Sequence, residues 1–264
     1  MLPSRALRAC LWNNLGAIDL VCCMPLPVVI ALSTADFDPT EAAVPWAVLT
    51  AAGHEVVFAT ANGEPGACDP EMLSGVLFGQ IKATPENAAH YAAMASCEAF
   101  ARPVRFVDIS PEAHALLVLP GGHAQGMRQY LEDADLQRAV AAFLAQDAPL
   151  GSICHGAVVL ARATAEDGTP AIAGRRITGL PRTMEAGAWL LTCTYLGSYF
   201  RTYPEWVQAE VQRSLGPDGS FEVGPLVPSY GNPFVVRDGN LVTARWPGDA
   251  QAFADALVAL LAEG

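Results

Sequence analysis

The stretch Pro149-Leu150-Gly151-Ser152-Ile153-Cys154-His155-Gly156-Ala157-Val158-Val159-Leu160 joins a short apolar run to a helical pattern across a thiol. Small residues stand two positions either side of Cys154, Ser152 before it and Gly156 after it. That is the small-x-nucleophile-x-Gly spacing of a nucleophile elbow, a tight strand-to-helix turn that flanking bulk would obstruct. At the start of a helix the thiol meets the positive end of the helix dipole, which favours thiolate. The imidazole of His155 can stabilise that charge further. A lone cysteine in such a turn reads as an inert core residue; ringed by Ser152, His155 and Gly156, Cys154 reads as reactive.

An elbow of this kind sits on a parallel sheet, and the upstream sequence supplies one. Pro27-Val28-Val29-Ile30-Ala31-Leu32 is a continuous apolar run suited to a strand buried on both faces. Residues 33–40 read as a loop with Asp36, Asp38 and Pro39 as breakers. Residues 41–52 read as a helix closing at Gly53, with Pro45 tolerable only in its first turn. Residues 54–60 (HEVVFAT) complete a β-α-β unit.

Further on, 61–75 reads as loop, 89–101 and 136–145 as helices, and 113–119 as a strand ending in Pro120-Gly121-Gly122-His123. Residues 172–180 read as a strand with Glu185 just beyond it in a helix start, and 199–215 as an amphipathic, aromatic-rich stretch. Residues 236–244 form a hairpin around Asp238-Gly239, and 250–262 a closing helix. There is no internal repeat, low-complexity segment or linker. The expectation is one doubly wound α/β domain over residues 24–264, a mostly parallel sheet with helices on both faces. Residues 1–23, with Arg5 and Arg8 ahead of a stretch broken by Asn13, Asn14 and Asp19, are expected to be a loose extension or a mis-chosen start.

The 264-residue chain is 52% hydrophobic and carries a formal net charge of -12, which argues against nucleic acid and anionic membrane as partners. Its seven cysteines are odd in number and form no CxxC pair, the pattern of a reduced, cytoplasmic protein. All five histidines (His54, His90, His114, His123, His155) lie at or before position 155. α/β-Hydrolases, papain-like proteases and class I glutamine amidotransferases place the catalytic histidine well after the nucleophile, so none operates here in its usual form. A histidine partner for Cys154 is either His155 or one brought in from upstream.

In an open parallel sheet the ligand site lies outside the carboxyl ends of the strands. Three such ends carry unusual residues: 33–41, Gly121-Gly122-His123 and Cys154-His155. The Gly122 and His155 N–H groups are candidate oxyanion donors, and Gly121-Gly122 taken alone is an ordinary turn. Glu41 near a thiolate in a low-dielectric cleft is a candidate for a protonated carboxyl that donates a hydrogen bond to sulfur.

Val118-Leu119-Pro120-Gly121-Gly122-His123, Ile153-Cys154-His155-Gly156 and Pro39-Thr40-Glu41-Ala42-Ala43-Val44-Pro45 together resemble the DJ-1/PfpI superfamily, its Hsp31-like, glyoxalase III-like branch in particular, with a class I glutamine amidotransferase-like domain. The likeness spans roughly residues 25–264. It implies a flavodoxin-like fold, a homodimer, and a pocket holding Cys154, His155 and Glu41. Several members add a later carboxylate that orients the histidine; by position Glu185 is the best match, with Glu205 and Asp249 behind it. The segment Arg182-Thr183-Met184-Glu185-Ala186 departs from the Hsp31-type sequence. No residues match the two-histidine, one-carboxylate metal site of some relatives, so no metal and no cofactor are expected.

The expected activity is a cofactor-independent, glyoxalase III-like conversion of small 2-oxoaldehydes, methylglyoxal to lactate, through a Cys154 hemithioacetal. Gly121, Gly122, His123 and Trp46 are the expected substrate neighbours, and Tyr199 is a further candidate wall residue. The alternatives are a cysteine-dependent amide hydrolase or deglycase, and a non-enzymatic redox-sensing stress chaperone.

Overall fold

The computed structural model describes residues 25–76, 82–225, 227 and 229–263; the expectation for residues 1–23 lies outside them. The strands are β1 Val28–Ala31, β2 Val56–Thr60, β3 Val104–Arg105, β4 Leu116–Leu119, β5 Leu150–Ile153, β6 Arg176–Ile177, β7 Ser220–Phe221, β8 Val235–Asp238 and β9 Leu241–Ala244. The helices are α1 Pro39–Ala51, α2 Glu71–Ser74, α3 Pro85–Ser96, α4 Glu98–Ala101, α5 Arg128–Leu131, α6 Ala134–Ala145, α7 Gly156–Arg162, α8 Arg182–Leu196, α9 Val207–Leu215 and α10 Ala250–Ala262.

Among the described residues seven strands form one sheet in the order β3-β2-β1-β4-β5-β9-β8. Every neighbouring pair is parallel except the β8–β9 hairpin at the edge. Strands β1, β4, β5 and β9 are buried along their whole length, which explains the unbroken apolar runs of β1 and β4. Helix α1 packs with α3 and α10, while α7 packs with α6 and α9, so helices cover both faces. This is the doubly wound α/β fold expected. The strand order reverses between β1 and β4, and that switch point opens the crevice in which such folds bind ligands.

Several boundaries differ from the sequence reading. Helix α1 starts at Pro39, because the Asp38 carboxylate accepts from the Thr40 and Glu41 N–H groups and a proline in the first turn has no donor to lose. Pro45 lies deeper in α1 than its first turn, where its missing N–H leaves the Glu41 carbonyl without an intrahelical partner. The loop 61–75 contains α2, and the single helix expected over 89–101 is two, α3 and α4. The strand expected over 172–180 shrinks to β6, paired with β7 outside the main sheet, since Gly174 takes a left-handed turn at φ 74° just before it. Of 199–215 only α9 is helical.

Candidate active site

Cys154 follows β5 directly and precedes α7, with φ at 58°, one of three non-glycine residues among those described in the left-handed region. That conformation costs on the order of 1 kcal/mol for a residue with a Cβ, and it persists because the turn around it is over-determined. A Cβ on Gly156 would collide with the Leu119 carbonyl oxygen and lie 2.9 Å from Ser152 Oγ. A Cβ on Gly121 would sit 2.6 Å from the His155 nitrogen and 2.8 Å from Glu41 Oε2, and one on Gly122 would collide with the Asp36 carbonyl. The glycines are therefore required by close backbone approach of the β4 loop to the loops after β1 and β5; neither Gly121 nor Gly122 has a positive φ.

The loop after β1 is tied to the loop after β4 in both directions. Asp38 N–H donates to the Gly121 carbonyl at 2.8 Å, and Gly121 N–H donates to Glu41 Oε2 at 2.8 Å. Gly121 thus clamps Glu41, and its N–H is not free for an oxyanion. The other carboxyl oxygen, Glu41 Oε1, is buried with no hydrogen-bond partner among the described residues. Burial, and then the charge of Asp38, push the Glu41 carboxyl well above the usual range, which favours its neutral, protonated form. Asp38 itself is raised to about 6 by burial, against the pull of the Glu41 and Thr40 N–H groups.

Cys154 and His155 are fully buried. Sγ lies 3.6 Å from His155 Nδ1. The other ring nitrogen, Nε2, lies 3.3 Å from Thr202 Oγ1, whose own O–H donates to the His123 carbonyl. The hydroxyl proton being spent there, Thr202 Oγ1 can only accept, so Nε2 carries the imidazole proton and Nδ1 faces the sulfur with its lone pair. The Thr202 backbone is held in turn by Arg128, whose Nε and Nη2 donate to its carbonyl at 2.9 and 2.6 Å. Burial, and then neighbouring His123, hold His155 well below its ordinary pKa, so it is a neutral base. Burial, and then Glu41, push the Cys154 thiol up. The thiolate expected from the helix start is therefore outweighed by desolvation: the resting pair is thiol and neutral imidazole.

None of the three later carboxylates reaches His155. Glu185 Oε2 accepts from Val207 N–H at 3.0 Å, Glu205 pairs with Arg213, and Asp249 pairs with buried Arg245. The position expected for a carboxylate is taken by Thr202, which the sequence reading missed. Burial raises Glu185 to about 7.

A cavity of about 430 Å³ opens beside the elbow, lined by Asp38 and Thr40 at the start of α1, by His123, and by Leu180, Phe200 and Trp246 among others. Trp46 is not among its lining residues and packs on the main core; Trp246, after β9, stands where an aromatic wall was expected. Tyr199 also lies off the lining and donates its hydroxyl to Asp69. His123 stands between the cavity and the buried pair, its ring edge-on to that of His155 at 5.2 Å between centroids. Its pKa falls to about 4 through burial. Ligand atoms of His123, Cys154 and His155 all lie within 4.8 Å of one another, a grouping of metal-binding residue types that no linear motif announces.

Fold and site together define a doubly wound α/β protein with a cysteine on a nucleophile elbow at the sheet's switch point and a histidine and a glutamic acid against it. The family model described as ThiJ/PfpI family-like matches residues 32–225, and the chain belongs to that family. It is 26% identical over 233 residues to a deglycase of Pyrococcus abyssi, spanning 88% of this chain and 98% of that one. It is 27% identical over 180 residues to the pyridoxal 5'-phosphate synthase subunit PdxT of Mycolicibacterium vanbaalenii, spanning 64% and 88%. The crystal structure of glyoxalase III from Candida albicans superimposes with a TM-score of 0.66, at 20% identity over 89% of this chain and 97% of that one. Among the described residues no helix is long and apolar enough to cross a membrane.

Proposed function

We propose that the protein converts 2-oxoaldehydes to 2-hydroxy acids without a cofactor, with Cys154 as nucleophile. The observation that carries this reading is the fixed pairing of Cys154 Sγ with the unprotonated Nδ1 of His155, 3.6 Å apart. As the aldehyde carbon approaches, the thiol proton passes to Nδ1 and sulfur adds to C1, opening the C=O bond to an alkoxide. The His155 and Gly122 N–H groups receive that alkoxide, and the protonated Glu41 beside the sulfur adds no competing negative charge. The alkoxide takes the proton back from Nδ1 as the hemithioacetal forms. Neutral His155 then accepts the C1 hydrogen as a proton while Glu41 protonates the C2 oxygen, giving an enediol, and His155 returns its proton to C2 as Glu41 recovers one from the C1 hydroxyl. The resulting thioester is hydrolysed by one water, releasing the 2-hydroxy acid and restoring the thiol.

The cavity supports a substrate larger than methylglyoxal. A volume of about 430 Å³ falls within the range of sites for drug-sized ligands, and Leu180, Phe200 and Trp246 offer an apolar wall to a hydrophobic tail. Access to Sγ requires the His123 ring to turn aside, and no hydrogen bond at its Nδ1 opposes that rotation.

The test is glutathione-free turnover of methylglyoxal and phenylglyoxal by wild type, Cys154→Ala and His155→Ala. The expected result is lactate and mandelate from wild type, phenylglyoxal favoured about tenfold or more in kcat/KM, and nothing above background from Cys154→Ala. An inert wild type sinks the reading. The likeness to a deglycase favours a second reading, in which the same thiol acts on glycated amines. Release of free amine from a pre-formed, stable adduct, with no acid from the free aldehyde, would select it. A redox-sensing role is less well supported, because a fully buried, raised thiol is a slow partner for peroxide.

A further inference from the structure

We infer that His123, Cys154 and His155 form a three-ligand site for a thiophilic divalent cation, zinc above all, with its fourth position facing the cavity. One ligand atom from each residue lies within 4.8 Å of the other two. The 3.6 Å between Cys154 Sγ and His155 Nδ1 serves the metal-free thiol as a sulfur hydrogen bond. It matches the S···N edge of a tetrahedral zinc site: bonds of about 2.3 Å to sulfur and 2.0 Å to nitrogen set at the tetrahedral angle place those two atoms about 3.5 Å apart.

The surroundings are those of a ligand set. Metal-bound histidines have their second N–H held by an acceptor, which fixes the tautomer and the ring. His155 meets this condition without any rearrangement, since Nε2–H rests on Thr202 Oγ1 and leaves Nδ1 to the cation. His123 Nδ1 is buried with no hydrogen-bond partner among the described residues, although the same side chain borders the cavity. A donor set of one thiolate and two imidazoles selects zinc, cobalt or copper over magnesium and calcium. Binding displaces the Cys154 thiol proton to solvent, leaving a thiolate and two neutral imidazoles on the ion. A ligand entering from the cavity completes four-coordination. A loaded site ties up the sulfur lone pair, so the cation and a carbonyl carbon compete for Sγ.

The experiment titrates chelator-stripped, full-length protein with Co²⁺ and then with Zn²⁺, reading metal stoichiometry by equilibrium dialysis and the near-ultraviolet thiolate-to-cobalt charge-transfer band. The expected result is one equivalent bound, with the band present and abolished by one equivalent of Zn²⁺. Cys154→Ser loses the band. His123→Gln weakens binding about 100-fold and Thr202→Val about tenfold, the scale on which ligands and their supporting partners act. Thermal unfolding without metal checks that each variant is folded, and Cys154→Ser with Thr202→Val carries the test if His123→Gln is not. The inference is overturned by a wild type without the band, by a band undiminished in Cys154→Ser, or by His123→Gln binding at wild-type affinity. Metal binding is read independently of turnover. A chain that shows the band and yet is inert toward 2-oxoaldehydes defeats the functional reading and leaves this one standing; a chain that turns over and shows no band does the reverse.

Discussion

Two buried polar clusters flank the same end of the sheet, and they are built on opposite plans. In the first, Arg245 and Asp249 are fully buried, and each donor has found its acceptor. Arg245 Nε and Nη2 donate to the two carboxylate oxygens at 2.8 and 3.0 Å, and Nη1 donates to the Pro225 carbonyl at 3.1 Å. The same carboxylate accepts from the Phe234 and Arg245 N–H groups. In the second, around Cys154, Glu41 Oε1, His123 Nδ1 and Ser152 Oγ are buried without partners among the described residues, and the nucleophile sits at a positive φ. A saturated network fixes structure, whereas orphaned groups in a low dielectric are costly and are retained where a ligand or a moving proton will use them. The difference separates scaffold from site more sharply than burial does, since Asp249 and Glu41 are equally buried.

Variants that exchange the two kinds of loss break or sharpen this contrast. The largest expected effect is on activity: Cys154→Ala lowers kcat/KM for 2-oxoaldehydes by at least about 10³-fold, while urea unfolding moves by less than about 1 kcal/mol. Next comes the reverse case. Asp249→Asn leaves a buried guanidinium uncompensated and costs about 3–5 kcal/mol in the same unfolding measurement.

Glu185 gives a pH signature. Its folded pKa, raised to about 7 by burial, lies above the ordinary value near 4.5, so its contribution to stability is intact below pH 4.5 and is lost as pH rises through about 7. Glu185→Gln removes that loss, and its advantage over wild type grows by on the order of 2 kcal/mol between pH 4.5 and 8. The smallest effect belongs to Thr202→Val, which frees the His155 tautomer: kcat falls about tenfold with KM unchanged, and Thr202→Ser restores it.

The sequence showed the fold where each strand could be read by itself. Runs buried on both faces, such as Val28–Ala31 and Leu116–Leu119, need no partner to be recognised. The elbow was legible for a related reason, because the steric demand of a tight turn falls on residues adjacent in the chain, Ser152 and Gly156. Glu41 was legible through its distance from the β1 end, and the structure brings it to Gly121 and the thiol. What stayed hidden depends on long-range contacts. Thr202 reaches His155 from a distant loop whose backbone Arg128, more than seventy residues upstream, holds at the Thr202 carbonyl. Glu185 has the spacing of a histidine-orienting carboxylate, yet its side chain turns to the start of α9. Trp246 and Trp46 are chemically alike, and only the course of the chain after β9 decides which one borders the cavity.

The central claim is that Cys154 Sγ bonds to the substrate carbon. Acid-quenched, millisecond sampling of wild-type protein with phenylglyoxal, followed by peptide mass mapping, tests it most directly. The account predicts an acyl adduct on the peptide containing Cys154 that forms and decays at least as fast as kcat. Turnover with no adduct on that peptide, or an adduct confined to Cys97 or Cys193, would contradict it.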